Sequence, residues 1–282
     1  MEKVIIPNKK EFEKKKEKIL REGKEKLHII SDFDKTLTKA FVKGKKVLSL
    51  IAYLRNGKYL TKDYAPRAHE LFNKYHPIEI NPDFPKEEKI KKMREWWETH
   101  FKLLVECGLD KRTIKKAIRD MDKDEEIKFR EGALEFLDLL HTNEIPIVIM
   151  SASIGDMIKE LLKLKGGLYS NMYIIANLLE FNERGKFVKI ENIIHSMNKK
   201  EIEVEKLPFF EKIKERKNII LLGDQLGDLE MTEDEEWETV LKIGFLNENI
   251  EEQLDDFKKG FDVIITGDSD MNFVVDILKE IG

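Results

Sequence analysis

The chain has 282 residues, 38% charged and 41% hydrophobic, with a net charge of -4. That balance suits a soluble globular protein, either one large domain with an insertion or two domains, and lacks the strongly basic character of a nucleic-acid binder. A single cysteine, Cys107, excludes an intrachain disulfide framework, and no apolar run approaches the roughly 18 residues that span a bilayer. The stretch from Met1 to Pro7 has no signal-peptide pattern, so a cytoplasmic location is expected, with no membrane and no nucleic acid as partner.

Residues 9–26 are nearly all Lys, Glu and Arg around Phe12, Ile19 and Leu20, the pattern of an exposed helix with a thin apolar stripe. Leu27 to Ser31 reads as a buried strand that breaks into Asp32-Phe33-Asp34. The short arms around Gly44 read as a hairpin. Strand-like runs then vanish, and helices are expected over 63–75, 86–107 and 111–121, with Pro77, Pro82 and Pro85 punctuating the loop between the first two. Trp96 and Trp97 belong to an apolar stripe whose spacing alone puts both in a core. Cys107 reads as a small buried hydrophobe. After Phe129 strand and helix alternate: helix 131–141, strand 145–150, helix 156–165, strand 172–175, a turn at 182–185 between two arms, helix 209–216, strand 218–222, strands 240–243 and 263–265, and helix 272–281. Buried apolar strands alternating with helices imply a mostly parallel sheet covered on both faces.

Three of these strands end in reactive side chains: Asp32 and Asp34, Ser151, and Asp224 with Asp228. Parallel strands bring such ends to one rim, where open α/β sheets bind ligands. Close carboxylates repel one another, and a hard cation such as Mg2+ relieves them. The metal would clamp phosphoryl oxygens, Ser151 and the next helix start would hold others, and a lysine from the 195–200 stretch would supply positive charge. One aspartate can attack phosphorus while the other moves the proton. His28, His69, His76, His141 and His195 lack metal-ligand spacing and read as structural or exposed.

Asp32-Phe33-Asp34-Lys35-Thr36-Leu37-Thr38 resembles the first motif of the haloacid dehalogenase (HAD) superfamily of phosphotransferases, Ser151 its second, Lys199 its third, and Gly223-Asp224-Gln225-Leu226-Gly227-Asp228 its fourth. Within that superfamily the chain resembles the cytosolic 5′-nucleotidase III (pyrimidine 5′-nucleotidase) family over nearly its whole length. The resemblance is carried by Tyr75-His76-Pro77-Ile78-Glu79, Glu95-Trp96-Trp97, 145–156, 195–199, 218–231 and 241–247. It implies an α/β fold, a HAD-type Rossmann-like core with a parallel sheet formed by 1–45 and 129–282, and a helical cap, 46–128, inserted after the first motif. It implies a Mg2+-dependent phosphomonoesterase that hydrolyses nucleoside 5′-monophosphates, pyrimidine favoured, through an aspartyl-phosphate. Asp32 would be nucleophile and metal ligand. Asp34 would be the general acid/base and lend its backbone carbonyl to the metal. Asp224 and Asp228 would complete the metal site, and Ser151, Ala152 and Lys199 would bind phosphate, Lys199 also serving catalysis. Glu79 matches the residue that contacts the nucleobase, and His100 and Trp96 join it on the cap side, where Trp96 or Trp97 can stack on a base.

The chain departs from the family where Ser153 replaces a glycine, where Leu48-Ser49-Leu50-Ile51-Ala52 replaces a Pro-Thr-x-His-Asn-type stretch, and around His100. Most of these changes fall in the cap, so the chemistry is retained and base recognition is altered. Two other readings are a HAD phosphatase for another small phosphomonoester and a non-catalytic phospho-accepting signalling domain. Receiver-type domains lack a cap, and the insertion after the aspartates argues against that second reading. A regulatory pseudo-enzyme is disfavoured because no motif residue is missing. The cap is expected to hinge near 43–46 and 128–131 to exclude water during the reaction. A small phosphomonoester is the expected partner, and the sequence names no protein partner.

Overall fold

A computed structural model describes residues 3–81, 83–190, 192–195, 198, 207–233 and 236–281. In chain order its elements are β1 (Val4–Ile5), α1 (Lys9–Glu22), β2 (Leu27–Ser31), β3 (Phe41–Val42), β4 (Lys45–Lys46), α2 (Leu50–Asn56), α3 (Tyr64–Ile80), α4 (Lys86–Glu106) and α5 (Lys111–Lys123). There follow α6 (Ala133–Thr142), β5 (Ile147–Ile154), α7 (Gly155–Leu164), β6 (Met172–Asn177), β7 (Leu179–Phe181) and β8 (Phe187–Ile190). The chain closes with β9 (Asn218–Gly223), β10 (Thr239–Leu246), α8 (Ile250–Gly260), β11 (Val263–Thr266) and α9 (Asn272–Ile281).

Seven strands form one sheet in the order β1-β11-β10-β9-β2-β5-β6. All pairings are parallel except that of β1 with β11. The mostly parallel sheet expected from the sequence is therefore present, with one short antiparallel edge strand that two residues could not announce. β9 is the central strand with β2 beside it, and every residue of β2 and β9 is buried, as continuous apolar runs covered on both faces require. Ser31 is in register with Leu222 on one side and Ile149 on the other. The chain thus leaves β2 for β5 on one flank and returns to β9 on the other, and the three strand ends converge where the strand order reverses.

Several elements differ from expectation for local reasons. α2 was not anticipated because Leu50 to Arg55 are all buried, so the segment has no polar face to reveal a period. α3 runs through Pro77 to Ile80. Proline forfeits one helix hydrogen bond, and packing of α3 along α4 holds the last turn in place, with Tyr75 Oη donating to Glu95. Pro82 lies outside the described residues. The expected helix 209–216 is only a 3-10 turn at Phe210–Lys212. α8 was also missed, although Ile250, Leu254 and Phe257 share one of its faces and pack into an apolar cluster.

The two crossings between sheet and cap run side by side. Thr38 bridges Phe129 in antiparallel fashion, Lys39 N–H donates to Lys128 O at 2.9 Å, and Arg130 N–H to Leu37 O at 2.9 Å. Asp268 accepts from the N–H groups of Ala40 and Phe41 at 2.8 and 3.1 Å. Above them, Lys43 and Gly44 adopt positive φ at the tip of the β3–β4 hairpin. One apolar cluster runs from the sheet (Ile29, Ile149, Leu222) through α7 (Met157, Leu161) into the helices of the insertion (Phe101, Leu104, Ile114, Ile118, Met121).

Candidate active site

Asp32 extends β2 by one hydrogen bond, its N–H donating to Leu222 O at 2.9 Å, and it is 7% exposed. Buried Phe33 and Leu37 anchor the loop that follows. Within it Lys35 is left-handed and its N–H donates to Thr38 Oγ1 at 2.9 Å. Arg130, 1% exposed, holds the same loop from below: its Nε donates to Thr36 O at 2.9 Å and its Nη2 to Asn247 Oδ1 at 2.9 Å. Asn247 in turn donates to Lys35 O at 3.0 Å. Neither Arg130 nor Asn247 was singled out in the sequence, because a buried arginine looks like any surface arginine until its carbonyl partners are known.

At the end of β9, Asp228 Oδ2 accepts from the N–H groups of Asp224 and Gln225, each at 3.0 Å. Its side chain lies so close to the strand that a Cβ on Gly223 would sit 2.5 Å from Asp228 Cβ, a space that only glycine leaves free. Asp32, Asp224 and Asp228 each present a carboxylate oxygen, all within 4.8 Å of one another. An all-oxygen, multiply charged donor set of this kind fits a hard divalent cation such as Mg2+. The carboxylate of Asp34 stands outside this group of three; it is half-buried and lines the cavity beside it.

Ser151 falls at the irregular end of β5, where the register with β6 shifts. Its Oγ accepts from Ser153 N–H at 3.1 Å, while Ser153 Oγ is buried without a partner. Fully buried Asn177, also unremarked in the sequence, donates to Ala152 O at 2.7 Å and to Ile194 O at 2.8 Å, and accepts from Ile194 N–H at 2.9 Å. It thereby ties the Ser151 strand end to the segment leading toward Lys199. Lys199 itself lies outside the described residues.

The cap closes over these strand ends and leaves a cavity of ≈ 420 Å³. Asp32, Asp34, Ser151, Ala152, Asp224 and Asp228 line it from the core, and Glu79, Trp96 and His100 from the cap. All the candidate site residues that fall among the described ones therefore meet in one space. Trp96 and Trp97 are both half-buried and line it, which corrects the core assignment from spacing. Trp96 is braced from behind by Tyr75, with ring centroids 5.9 Å apart and planes 12° apart. His76 also lines the cavity rather than serving only as a structural or exposed residue. Its Nδ1 is 3.1 Å from Glu79 Oε2, and its ring stacks on Phe72 at 4.5 Å. His100 meets Tyr64 Oη at 3.0 Å. Burial, with the charge of Arg55 behind it, lowers the His100 pKa to about 3, so it serves as a neutral polar wall. Glu95 is turned away toward Tyr75, Lys92 and Lys74. Arg55, hidden in the apolar run of α2, is a further cavity residue that the sequence reading passed over.

Comparison with known proteins agrees on a 5′-nucleotidase and differs on the base named. The family model described as Pyrimidine 5′-nucleotidase (UMPH-1) matches residues 35–282. The 7-methylguanosine phosphate-specific 5′-nucleotidase of Mus musculus is 33% identical over 263 residues, covering 93% of this chain and 86% of that protein. The protein of the same name from Homo sapiens is 33% identical over 261 residues, covering 92% and 86%. Among solved structures, cytosolic 5′-nucleotidase IIIB bound to cytidine superposes with a TM-score of 0.91 at 26% identity, covering 100% of this chain and 94% of that one. A HAD family hydrolase of Salmonella enterica serovar Typhi shares the fold at 14% identity, TM-score 0.56, covering 90% of this chain and 71% of that one.

Proposed function

This chain belongs to the pyrimidine 5′-nucleotidase (UMPH-1) family and is a 5′-nucleotidase-like phosphatase of the HAD fold; from that premise we propose that it hydrolyses nucleoside 5′-monophosphates, pyrimidine bases favoured, with Mg2+ and through an aspartyl-phosphate. The observation that carries the reading is the single cavity with three clustered carboxylates and Ser151 at one end and Glu79, His76 and two tryptophans at the other. A phosphate and a base joined by one ribose need two such ends. The family description and the cytidine-bound relative favour a pyrimidine, while the relatives at 33% identity are named for 7-methylguanosine phosphate.

Asp32, Asp224 and Asp228, with the backbone carbonyl of Asp34, would hold Mg2+, which offsets the carboxylate charges and polarises phosphoryl oxygens. Asp32 attacks phosphorus and the P–O bond to the ribose breaks, while Asp34 gives its proton to the departing oxygen. Asp34 then takes a proton from water, which attacks the aspartyl-phosphate and frees inorganic phosphate and Asp32. Ser151 and the backbone of Ala152 bind phosphoryl oxygens, and Lys199 supplies positive charge. We assign 1–45 and 129–282 to the core and 46–128 to the cap. We place the hinge near Lys43 and Gly44, on the cap side of Phe41, and not at the expected second position, 128–131, where Lys128 O and Arg130 N–H are hydrogen-bonded to Lys39 and Leu37. Among the described residues no helix is long and apolar enough to cross a membrane, and the cytosolic relative supports a cytoplasmic location.

The test is a panel of nucleoside 5′-monophosphates, sugar phosphates and p-nitrophenyl phosphate with Mg2+. Nucleotides are expected to be hydrolysed fastest, with no turnover in excess EDTA or by folded Asp32→Asn. Faster hydrolysis of simple phosphoesters than of every nucleotide would overturn the substrate assignment, and an active Asp32→Asn would overturn the mechanism.

A further inference from the structure

Arg55 is 7% exposed and lines the cavity from the cap. Its guanidinium lies over the ring of Phe72, 4.1 Å from the centroid. Among the described residues it makes no hydrogen bond and no ion pair, and its Nε is buried without a partner. A guanidinium carries five N–H donors and stays charged near neutral pH. Burying it unpaired is costly, and an aromatic face offsets only part of that cost. Lining the cavity, its N–H groups are available to acceptor atoms of a substrate.

We propose that Arg55 is a specificity-determining residue: it receives the acceptor atoms of a neutral nucleobase and turns away bases that carry a positive charge. The proposal rests on the nucleotide reading above. Its chemistry follows from the other residues of the same wall. Phe72 lies between Arg55 and His76, stacked on the histidine ring, and His76 holds Glu79. The cavity therefore offers a base both a carboxylate, which takes N–H donors, and a guanidinium, which takes carbonyl oxygens and ring nitrogens. Cytosine, uracil and guanine present both kinds of edge. Methylation on an acceptor ring nitrogen, N3 of cytosine or N7 of guanine, removes that acceptor and leaves the base positively charged in mildly acidic solution. Beside Arg55 that charge meets another in a place poorly screened by water, a repulsive element that discriminates without any new attraction.

The experiment measures kcat/KM, in mildly acidic buffer with Mg2+, for two pairs: CMP against 3-methyl-CMP and GMP against 7-methyl-GMP. The pair with the better neutral substrate decides. The wild type is expected to prefer the neutral member by about tenfold or more, the order of one like-charge contact at intermediate dielectric. R55M, which keeps the bulk of the stem, should bring the ratio to within a few-fold. R55K, which keeps the charge, should retain most of the preference. A methyl group excluded by size alone predicts the same ratio in all three proteins, and that result overturns the proposal. Equal or faster hydrolysis of the methylated nucleotide by the wild type overturns it without any variant. If no nucleotide outpaces p-nitrophenyl phosphate, the nucleotidase reading itself fails and this inference falls with it.

Discussion

Arg130 and Asp268 form an ion pair at the base of the cap, Nη1 to Oδ1 at 3.3 Å, with the arginine side chain 0% exposed. The pair joins two jobs. Arg130 holds the loop after Asp32 by its carbonyls, and Asp268 holds Ala40 and Phe41, where the chain leaves for the cap. Arg130→Met should therefore lower stability by about 3–5 kcal/mol, the cost of leaving a buried partner uncompensated. The kcat of the protein that remains folded should also fall, because the Asp34 loop loses its support. Denaturant unfolding beside kinetics on the folded fraction checks both. Unchanged stability would remove the clamp from the account.

Gly223 does not line the cavity, yet its missing side chain leaves room for Asp228. Gly223→Ala should displace Asp228 and with it one of the three clustered oxygens. The expected result is an apparent Mg2+ requirement raised by about tenfold or more, with the sheet intact. Titration of activity against Mg2+, alongside circular dichroism, measures it. An unaltered Mg2+ titration would mean that Asp228 does not serve the metal.

Glu79 carries the base end of the proposed site. Glu79→Ala should lower kcat/KM for nucleotides about tenfold or more, the loss of one charged hydrogen bond. The ratio of nucleotide to p-nitrophenyl phosphate hydrolysis should fall with it, since the latter has no base. An equal loss on both substrates would make Glu79 structural.

Three histidines give the fold an acid limit. Burial lowers His28 to about 4, His195 to about 4 and His100 to about 3, from the ordinary 6.5. Nearby arginines contribute to each of these lowered values, although in His28 a hydrogen bond to Arg216 O works the other way. The unfolded chain thus binds protons between about pH 6.5 and 4 that the folded chain does not, so their contribution is complete above 6.5 and is lost as pH falls toward 4. The thermal midpoint should drop over that window, and the drop should be shallower in His28→Gln. A midpoint flat from pH 7 to 4 would contradict these burials.

The sheet and the core half of the site were legible in the sequence because parallel strands buried on both faces must be unbroken apolar runs. A polar residue ending such a run, as Asp32, Ser151 and Asp224 do, therefore stands out. The cap was less legible. Leu50 to Arg55 have no polar face, and Pro77 signals a break that packing against α4 overrides. Trp96 and Trp97 follow core spacing but face a cavity, since periodicity tells which side of a helix is apolar and not whether protein or ligand covers it. Asn177, Arg130 and Asp268 act on backbone carbonyls and amides far away in the chain, and no local pattern encodes such partners.

The apolar cluster that passes without a break from Ile29 and Leu222 to Ile118 and Met121 has a thermodynamic consequence. A cap with its own core would melt on its own, giving two calorimetric transitions. Here the loss of either half strips apolar cover from the other, so heat should unfold the whole chain in one cooperative transition, with van't Hoff and calorimetric enthalpies equal. Sequence drift in the cap is then bounded on one side only: its cavity wall is free to change with the substrate, while its underside is under the same packing constraint as the sheet.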